Sequence, residues 1–301
     1  MCRGRGVPAR GKELTSLQFW KMNGAGNDFV IVDNRRSMLP DEAWPEIART
    51  LCERHLSIGA DGLMVVDTSD RADYRMRYYN SDGSLGEMCG NGARCICRYG
   101  YENWLAGEVQ TVETTAGIVT GQRIDRRLYR IRLNDPTTML LDHPVEVDGV
   151  RYACSYVELG DPGLPHAVVP YHNLKDADEN ELRELGRKIR HHASFPKGAN
   201  VNFYEITGED EIYERTFERG VEDFTYACGT GTGSVVAVLT LTGKVSGQQV
   251  RVNMQGGQLM IDAERVYSHS ASLYLTGPTN IVCKGEVTDE DLPYAMNTPS
   301  V

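Results

Sequence analysis

The segment Met88-Cys89-Gly90-Asn91-Gly92-Ala93-Arg94 returns in altered form as Ala227-Cys228-Gly229-Thr230-Gly231-Thr232-Gly233. The shared pattern is Cys-Gly-x-Gly, and the two copies stand about half of the chain apart. Each copy precedes a stretch with helical character, residues 93–105 and residues 234–241. A motif that occurs once in each half, before a helix both times, predicts two similar domains with a cleft between them.

Each motif places a cysteine just before a predicted helix N-terminus. The helix dipole and the unpaired N–H groups there lower the pKa of a thiol and favour the thiolate. The glycines let the backbone approach a ligand, and their N–H groups can bind a carboxylate. Two such units facing each other would place one thiol on each side of a carboxylate-bearing carbon. One thiolate could then remove its proton while the other thiol protonates the opposite face, provided that N–H groups stabilise the negative charge.

The composition is that of a globular protein. The 301 residues are 41% hydrophobic and 25% charged, enough to form the cores of about two domains. A net charge of -10 argues against nucleic acid as a partner. The best apolar stretch, residues 234–241, is too short to span a membrane. Residues 1–16 are basic and rich in glycine, so we expect a disordered extension rather than a secretion signal, and a cytoplasmic protein.

The cysteines do not indicate a metal or a disulfide framework. Of the 8 cysteines, no two form a Cys-x-x-Cys pair, and no second ligand pair follows at zinc-finger spacing. Neither a Gly-x-Gly-x-x-Gly sequence after a strand nor a Walker sequence occurs. We therefore predict no metal and no cofactor. The cysteines outside the two motifs are assigned to packing: Cys52, Cys95, Cys97, Cys154 and Cys283.

The pattern along the chain predicts short strands separated by glycines, with few helices. Asn134-Asp135-Pro136 is a turn signal and marks the predicted domain boundary. The domains are then residues 17–135, completed by a strand within about 274–290, and residues 136–273. Helices are predicted at 45–52 and 178–190. Strands are predicted at 29–33, 62–67, 74–79, 108–114, 117–124, 128–133, 200–206, 211–218, 248–253, 258–262 and 270–275.

Further ordered motifs run through the chain: 21–29 (KMNGAGNDF), 58–62 (IGADG), 79–84 (YNSDGS), 87–95 (EMCGNGARC), 165–166 (PH), 200–203 (NVNF), 218–220 (ERG), 227–231 (ACGTG) and 276–278 (TGP). With these motifs the sequence resembles the diaminopimelate epimerases, cofactor-independent enzymes of lysine and peptidoglycan precursor biosynthesis. The resemblance implies an α+β fold of two pseudo-symmetric domains, each a strongly curved mixed sheet around a central helix. It places the active site in the cleft, and it allows a homodimer.

The resemblance also implies roles for single residues. Cys89 and Cys228 match the acid–base pair that converts LL-2,6-diaminopimelate to the meso form, and His166 and Glu218 match residues thought to tune the cysteines. A further set matches positions that bind this small-molecule substrate: Asn27, Asn80, Gly90, Asn91, Asn200, Glu218, Arg219, Gly229 and Thr230. Asparagines can pair with ammonium and carboxylate groups, and an arginine can bind a carboxylate with two hydrogen bonds.

Two departures from the family pattern leave the substrate open. Leu164 stands where the family often has an asparagine, and Gly62 stands where some members have a polar residue. An epimerase or racemase of another amino acid is therefore an alternative. More distant alternatives are a hydrolase or acyl transferase with Cys228 as nucleophile and His166 as base, and a protein that binds an amino acid without turnover.

Overall fold

The structure is a computed structural model that describes residues 17–36, 39–86, 90–267, 270–288 and 292. The predicted extension 1–16 lies outside these residues. The α-helices are α1 (Trp44–Cys52), α2 (Gly90–Glu102), α3 (Glu179–Arg190) and α4 (Gly229–Leu241). Short 3₁₀ helices cover Asp41–Ala43 and Leu174–Asp176. The strands are β1 (Leu17–Gly24), β2 (Asn27–Asp33), β3 (Gly62–Asp67), β4 (Tyr74–Asn80), β5 (Val109–Thr114), β6 (Gly117–Arg123), β7 (Leu128–Arg132), β8 (Pro136–Leu140), β9 (Val145–Val147), β10 (Val150–Tyr152), β11 (Ser155–Leu159), β12 (Leu164–Pro170), β13 (Asn200–Gly208), β14 (Glu211–Glu218), β15 (Asp223–Thr225), β16 (Val250–Met254), β17 (Gly257–Tyr267), β18 (Ser270–Pro278) and β19 (Asn280–Val287).

Two halves of the sheet repeat one strand order. The first runs β19-β1-β2-β3-β4-β5-β6-β7 and the second runs β8-β11-β12-β13-β14-β16-β17-β18. The parallel pairs fall at equivalent places, β2 with β3 and β4 with β5 in the first half, β12 with β13 and β14 with β16 in the second. An antiparallel pairing of β7 with β18 joins the halves. The fold is thus an internal repeat, as the duplicated motif predicts.

The last strand returns to the first. β19 pairs antiparallel with β1, so the C-terminal part of the chain contributes an edge to the N-terminal half. The second half begins with β8 at Pro136, directly after the turn signal at Asn134-Asp135. Proline has no backbone N–H to donate to a neighbouring strand, so it is tolerated at the first residue of a strand.

Each half encloses one of the two motif helices. In α4 the run Val235–Leu239 is buried on every side, which is the pattern of a helix inside a sheet rather than on its surface. α2 is buried as completely but carries two arginines, Arg94 and Arg98. Arg98 donates to the carbonyl of Thr279 at 2.8 Å, so its charge is met by a backbone acceptor that follows β18.

Both central helices begin earlier than their sequence pattern indicates. The predicted starts, at 93 and 234, lie past the motif glycines, whereas the helices begin at Gly90 and Gly229. Glycine is a poor helix former, so propensity hides these first turns. Close packing against other elements nevertheless requires glycine in these turns. A β-carbon at Gly92 would collide with Met64, and one at Gly233 would lie 2.7 Å from Leu133 Cδ1.

The cysteines assigned to packing follow that assignment with one exception. Cys52, Cys95, Cys97 and Cys154 are buried, whereas Cys283 is exposed on β19, so the assignment is wrong for Cys283. Of the helices in the described ranges, none is long and apolar enough to cross a bilayer.

Candidate active site

The two motif helices meet at their N-termini. A β-carbon at Gly229 would lie 3.8 Å from the Cα of Gly90, and one at Gly90 would lie 3.9 Å from the Cα of Gly229. Cys228 caps α4 in an extended conformation. Cys89 lies outside the described residues, but it is bonded to Gly90, the first residue of α2. The fold therefore brings the two Cys-Gly-x-Gly motifs together, and the positive ends of two helix dipoles point at one place.

Burial dominates the environment of Cys228. It raises the pKa of the thiol well above its usual range, and the negative charge of Glu218 raises it further. Thr230, whose Oγ1 lies 3.6 Å from the sulfur, and the N–H of Gly231 act in the opposite direction. The sequence predicts a lowered thiol pKa, and this is corrected by the structure: the helix N-terminus acts as expected, but desolvation of the thiolate is the larger effect.

His166 is completely buried on β12 and faces the same region. Burial lowers its pKa from 6.5 to about 3, and the charge of Arg219 acts in the same direction. Its Nδ1 lies 3.3 Å from the side-chain amide of Asn202, and its Nε2 has no hydrogen-bond partner among the described residues. His166 is thus a neutral imidazole with one nitrogen still unused.

Glu218 ends β14 and is half-buried. Burial raises the pKa of its carboxyl, while the nearby hydroxyl of Thr225 lowers it. The next residue, Arg219, donates its backbone N–H to Asn200 Oδ1 at 2.8 Å, and Asn200 donates to the carbonyl of Pro165 at 3.4 Å. Asn200 therefore ties the Glu-Arg-Gly turn to the residue before His166.

The predicted ligands of the N-terminal half form a chain of hydrogen bonds. Arg94 donates to Asn91 Oδ1 at 2.7 Å, and Asn91 donates to Asn27 Oδ1 at 2.7 Å. Asn27 in turn donates to Asp61 Oδ2 at 3.0 Å. This chain fixes which way the two amides point and holds the first turn of α2 to the β1–β2 turn.

An ion cluster lies behind Asn27. Asp28 pairs with Lys21 at 2.7 Å and with Arg54 at 2.6 Å, and Arg54 also pairs with Asp61 at 2.8 Å. Burial opposes ionisation of Asp28, but the hydrogen bonds from Lys21 and Arg54 outweigh it and lower the pKa of that carboxyl. Lys21 also donates to the carbonyl of Gly59, so it connects β1 to the loop that carries Asp61.

Asn80 stands apart from this chain. Its side chain donates to Ser84 Oγ at 2.9 Å and holds the turn after β4. In register it pairs with Gly62, and Gly62 pairs with Phe29 of β2, so Asn80 lies two strands away from the strand that Asn27 begins. In the described structure its amide serves the turn.

Comparison with known proteins gives one consistent result. A family model described as "Diaminopimelate epimerase" matches residues 19–127 and 160–282. Proteins named diaminopimelate epimerase include one from Aquifex aeolicus, 36% identical over 92% of this chain and 100% of its own length. Another, from Methanothrix thermoacetophila, is 37% identical over 93% of this chain and 99% of its own. The chain belongs to the diaminopimelate epimerase family.

Solved structures with lower identity share the fold, and the predicted α+β class with two related halves is confirmed. A phenazine biosynthesis protein of the PhzF family from Bacillus anthracis superposes with a TM-score of 0.70 at 18% identity, covering 91% of this chain and 99% of the other. A hydroxyproline epimerase from Agrobacterium vitis gives a TM-score of 0.64 at 18% identity, covering 92% of both.

The two departures from the family pattern have different surroundings. A β-carbon at Gly62 would collide with the ring of Tyr78, which also packs at 2.6 Å from a β-carbon position at Gly86. Tyr78 therefore fills the space that a longer residue at 62 would need. Leu164 begins β12 opposite Leu159 and is half-buried, two residues before His166.

Several residues around the site carry no prediction from sequence. Lys21, Asp28 and Asp61 stand inside quoted motifs, so their presence in those motifs was the only available signal. Asn202, Glu214, Thr216 and Thr232 form a buried polar cluster beneath Cys228. Asn202 and Thr232 also stand inside quoted motifs, whereas Glu214 and Thr216 have no such signal. Within the described ranges, no three His, Cys, Asp or Glu side chains are placed to hold a metal ion.

Proposed function

We propose that this protein converts LL-2,6-diaminopimelate to the meso form with two cysteine side chains and no cofactor. Family membership gives the reaction class. The observation that carries the proposal is the contact between Gly90 and Gly229, because each is covalently linked to one motif cysteine. Two thiols on opposite sides of one carbon are what inversion by proton removal and return requires.

The reaction would proceed as a proton transfer on each face. The thiolate of one cysteine takes the α-proton as the Cα–H bond breaks, and its electron pair passes into the carboxylate group. N–H groups at the starts of α2 and α4 stabilise that charge. The other thiol then gives its proton to the opposite face of the α-carbon, so the enzyme ends with the two cysteines in exchanged protonation states.

The environment of Cys228 favours one assignment of roles. Since burial and Glu218 disfavour its thiolate, Cys228 fits the proton donor in the substrate-free state, which leaves Cys89 as the base. The neutral His166 and the half-buried Glu218 fit the tuning roles that the resemblance implies. An incoming α-ammonium group would lower the thiol pKa by its charge, so the balance changes when substrate binds.

Polar groups on both sides of the cleft fit a substrate with two ammonium and two carboxylate groups. Asn27 and Asn91 would act from one half, and Asn200, Glu218, Arg219 and Thr230 from the other. Leu164 removes one amide from this set, and we infer that a neighbouring group or water compensates. A homodimer in the cytoplasm, acting in lysine and peptidoglycan precursor biosynthesis, is the setting that this reaction fits.

The test is exchange of the α-proton with solvent. LL-Diaminopimelate in heavy water, without added pyridoxal phosphate, flavin or metal, should gain deuterium at the α-carbon and yield the meso form, read by proton NMR. Cys89→Ala and Cys228→Ala should each abolish full epimerisation. Comparing kcat/KM for lysine, glutamate, histidine and proline tests the substrate, and a preference of about tenfold for one of these would favour the alternative epimerase.

A further inference from the structure

A buried carboxyl group lies beneath the first turn of α4 and has no place in the mechanism above. Glu214 on β14 is 2% exposed, and no cation among the described residues lies within ion-pair distance of it. Its Oε2 lies 2.8 Å from Thr232 Oγ1, and its Oε1 lies 3.3 Å from Thr216 Oγ1. A buried carboxyl group without a cation needs a structural or functional explanation.

One end of this group reaches the catalytic candidate Cys228. The hydroxyl of Thr232 lies 2.9 Å from the carbonyl oxygen of Cys228, which also accepts the N–H of Thr232. Thr232 therefore connects Glu214 to the residue that caps α4. Because Thr232 is completely buried, water cannot replace either contact.

The other end reaches His166. Thr216 lies 3.1 Å from Asn202 Oδ1, and the amide of Asn202 lies 3.3 Å from His166 Nδ1. Asn202 also packs against α4, since a β-carbon at Gly231 would collide with its Oδ1 and would lie 3.3 Å from the sulfur of Cys228. The hydrogen-bonded side chains thus form a continuous path from Cys228 to His166.

Counting hydrogens favours a neutral Glu214, since a protonated carboxyl leaves one of four contacts without a hydrogen whereas an ionised one leaves two. Each threonine has one hydroxyl hydrogen but two acceptor contacts: Glu214 and Cys228 O for Thr232, Glu214 and Asn202 for Thr216. An ionised Glu214 only accepts, so two hydrogens would serve four contacts. A neutral carboxylic acid adds a third hydrogen, which it can donate to Thr232 so that Thr232 donates to Cys228 O. Burial acts in the same direction and raises the pKa of Glu214 to about 8.

We propose that Glu214 is a positioning residue of the proposed epimerase: as a neutral carboxylic acid it ties the start of α4, which carries Cys228, to Asn202 and through Asn202 to His166. The inference rests on the proposed function for its catalytic meaning. The structural part of the inference, a neutral carboxylic acid that bridges two threonines, does not depend on the proposed function.

The surroundings make the neutral form important for the thiol. A negative Glu214 raises the pKa of Cys228, as Glu218 does. α4 carries no ionisable side chain, and β16 contributes apolar residues to the same core. Tyr204 on β13 is opposite Glu214 in register, and burial raises the pKa of its hydroxyl. Among the described residues, the titratable groups that face Glu214 are therefore Tyr204, Cys228, Glu218 on the same face of β14 and, through Asn202, His166.

The first experiment measures the protonation state of Glu214 directly. Infrared difference spectra of wild type against Glu214→Gln at pH 7, without substrate, should show a neutral carboxyl band that the variant lacks. A wild-type protein without that band would overturn the proposal. Because no substrate is used, failure of the proposed function would leave this test intact.

The second experiment tests whether Glu214 positions the start of α4, by its effect on kcat and KM. Glu214→Gln keeps a donor for Thr232 and an acceptor for Thr216, so kcat should stay within about threefold of wild type, whereas Glu214→Leu should lower kcat by about tenfold with little change in KM. Since glutamine cannot ionise, the basic limb of the pH profile of kcat should move to higher pH in Glu214→Gln. Equal kcat for Glu214→Leu and wild type, or an unmoved limb, would contradict the proposal.

A matched pair on α4 separates this role from helix stability. Thr232→Val removes the bridging hydroxyl and should lower kcat by about tenfold. Thr240→Val makes the same change on the same helix, at a hydroxyl with no partner among the described residues, and should leave kcat unchanged. Equal losses in both variants would assign the effect to the helix and overturn the proposal.

Discussion

At the scale of single residues, the protonation of Glu214 predicts how stability depends on pH. The pKa is about 8 in the folded protein against an ordinary 4.5, so between these values the folded state binds more protons than the unfolded state. Stability from this group is therefore complete below about pH 4.5 and is lost as the pH rises to about 8, by up to about 1.4 kcal/mol per pH unit. Urea unfolding at pH 5 and pH 8 should show a steeper loss in wild type than in Glu214→Gln. Parallel pH dependence in the two proteins would contradict this.

His166 predicts the opposite dependence on the acid side. Its pKa of about 3 in the fold, against 6.5, means that the unfolded state binds more protons between these values. Stability from the neutral imidazole is present above about pH 6.5 and is lost as the pH falls towards 3. His166→Gln keeps a side-chain amide near Asn202 and should unfold with a weaker dependence on pH between 7 and 4.5. His172→Gln is the control, since the His172 side chain is 89% exposed, and it should follow wild type.

The residues of the site divide by the kind of signal that they leave in the sequence. The cysteines and their glycines form a repeated motif, so Cys228, Gly90 and Gly229 could be predicted from it. Glu214 and Thr216 lie on β14, whose sequence EIYERTFE does not alternate between polar and apolar residues and does not indicate which face is buried. Asn202 lies inside the motif 200–203, but the motif does not show where its side chain points. Only the packing of α4 against β13 and β14 shows that these polar residues point inward.

At the scale of elements, the chain from Asn91 through Asn27 to Asp61 predicts a binding defect. Asp61 Oδ2 accepts from Asn27 and from the N–H of Asp28, while Oδ1 accepts from Arg54. Asp61→Asn loses one acceptor, so Asn27 should lose its fixed orientation and KM for LL-diaminopimelate should rise by about tenfold, the effect of one hydrogen bond to a charged group.

The control for this change lies at the other end of β3. Asp67 accepts from Asn34 at 2.8 Å and from Arg77 at 2.7 Å, a similar set of partners far from the motif helices. Asp67→Asn should lower thermal stability as much as Asp61→Asn but leave KM unchanged. A rise in KM for both variants would mean that strand stability, and not the orientation of Asn27, is responsible.

Four of the predicted elements agree closely with the structure. β3 and β14 have the predicted bounds, and α1 and α3 differ from the prediction by a single residue at their starts. The starts of α2 and α4 could not be predicted from helix propensity, because contacts with other elements, and not propensity, require the glycines there. The short pairs β9–β10 and β14–β15 depend on register with neighbours, which no local pattern gives.

At the scale of the whole molecule, the internal repeat could be predicted from one duplicated motif. The equivalent parallel pairs could not, because the pairing of β2 with β3 and β12 with β13 joins strands that are distant in sequence. The domain limits 17–135 and 136–273, with a returning strand, stay a proposal, and the pairing of β19 with β1 supports it.

The contact between the halves yields the last prediction. Alanine at Gly229 places a methyl group 2.9 Å from Leu275 Cδ2, so the end of that side chain must shift. The same methyl group would lie in van der Waals contact with Gly90 Cα, at 3.8 Å, and would fill the space between the two helix starts. Alanine favours a helix over glycine by about 1 kcal/mol, so α4 itself should not be weakened. Gly229→Ala should therefore keep wild-type thermal stability within about 1 kcal/mol and lower kcat by at least about tenfold, since the methyl group occupies space between the two helix starts and the positioning of reacting groups there is sensitive to small displacements.

Gly107→Ala is the matched control for that change. No atom of the described residues lies within 4 Å of a β-carbon at Gly107, so activity and stability should both match wild type. If Gly229→Ala retained full kcat, the space beside Gly90 that glycine leaves open at position 229 would not be needed for proton transfer. If it lost activity only together with stability, the methyl group would be acting on packing around Leu275 instead. A stable variant with slow turnover and unchanged KM is the result that ties the chemistry to the meeting of the two halves.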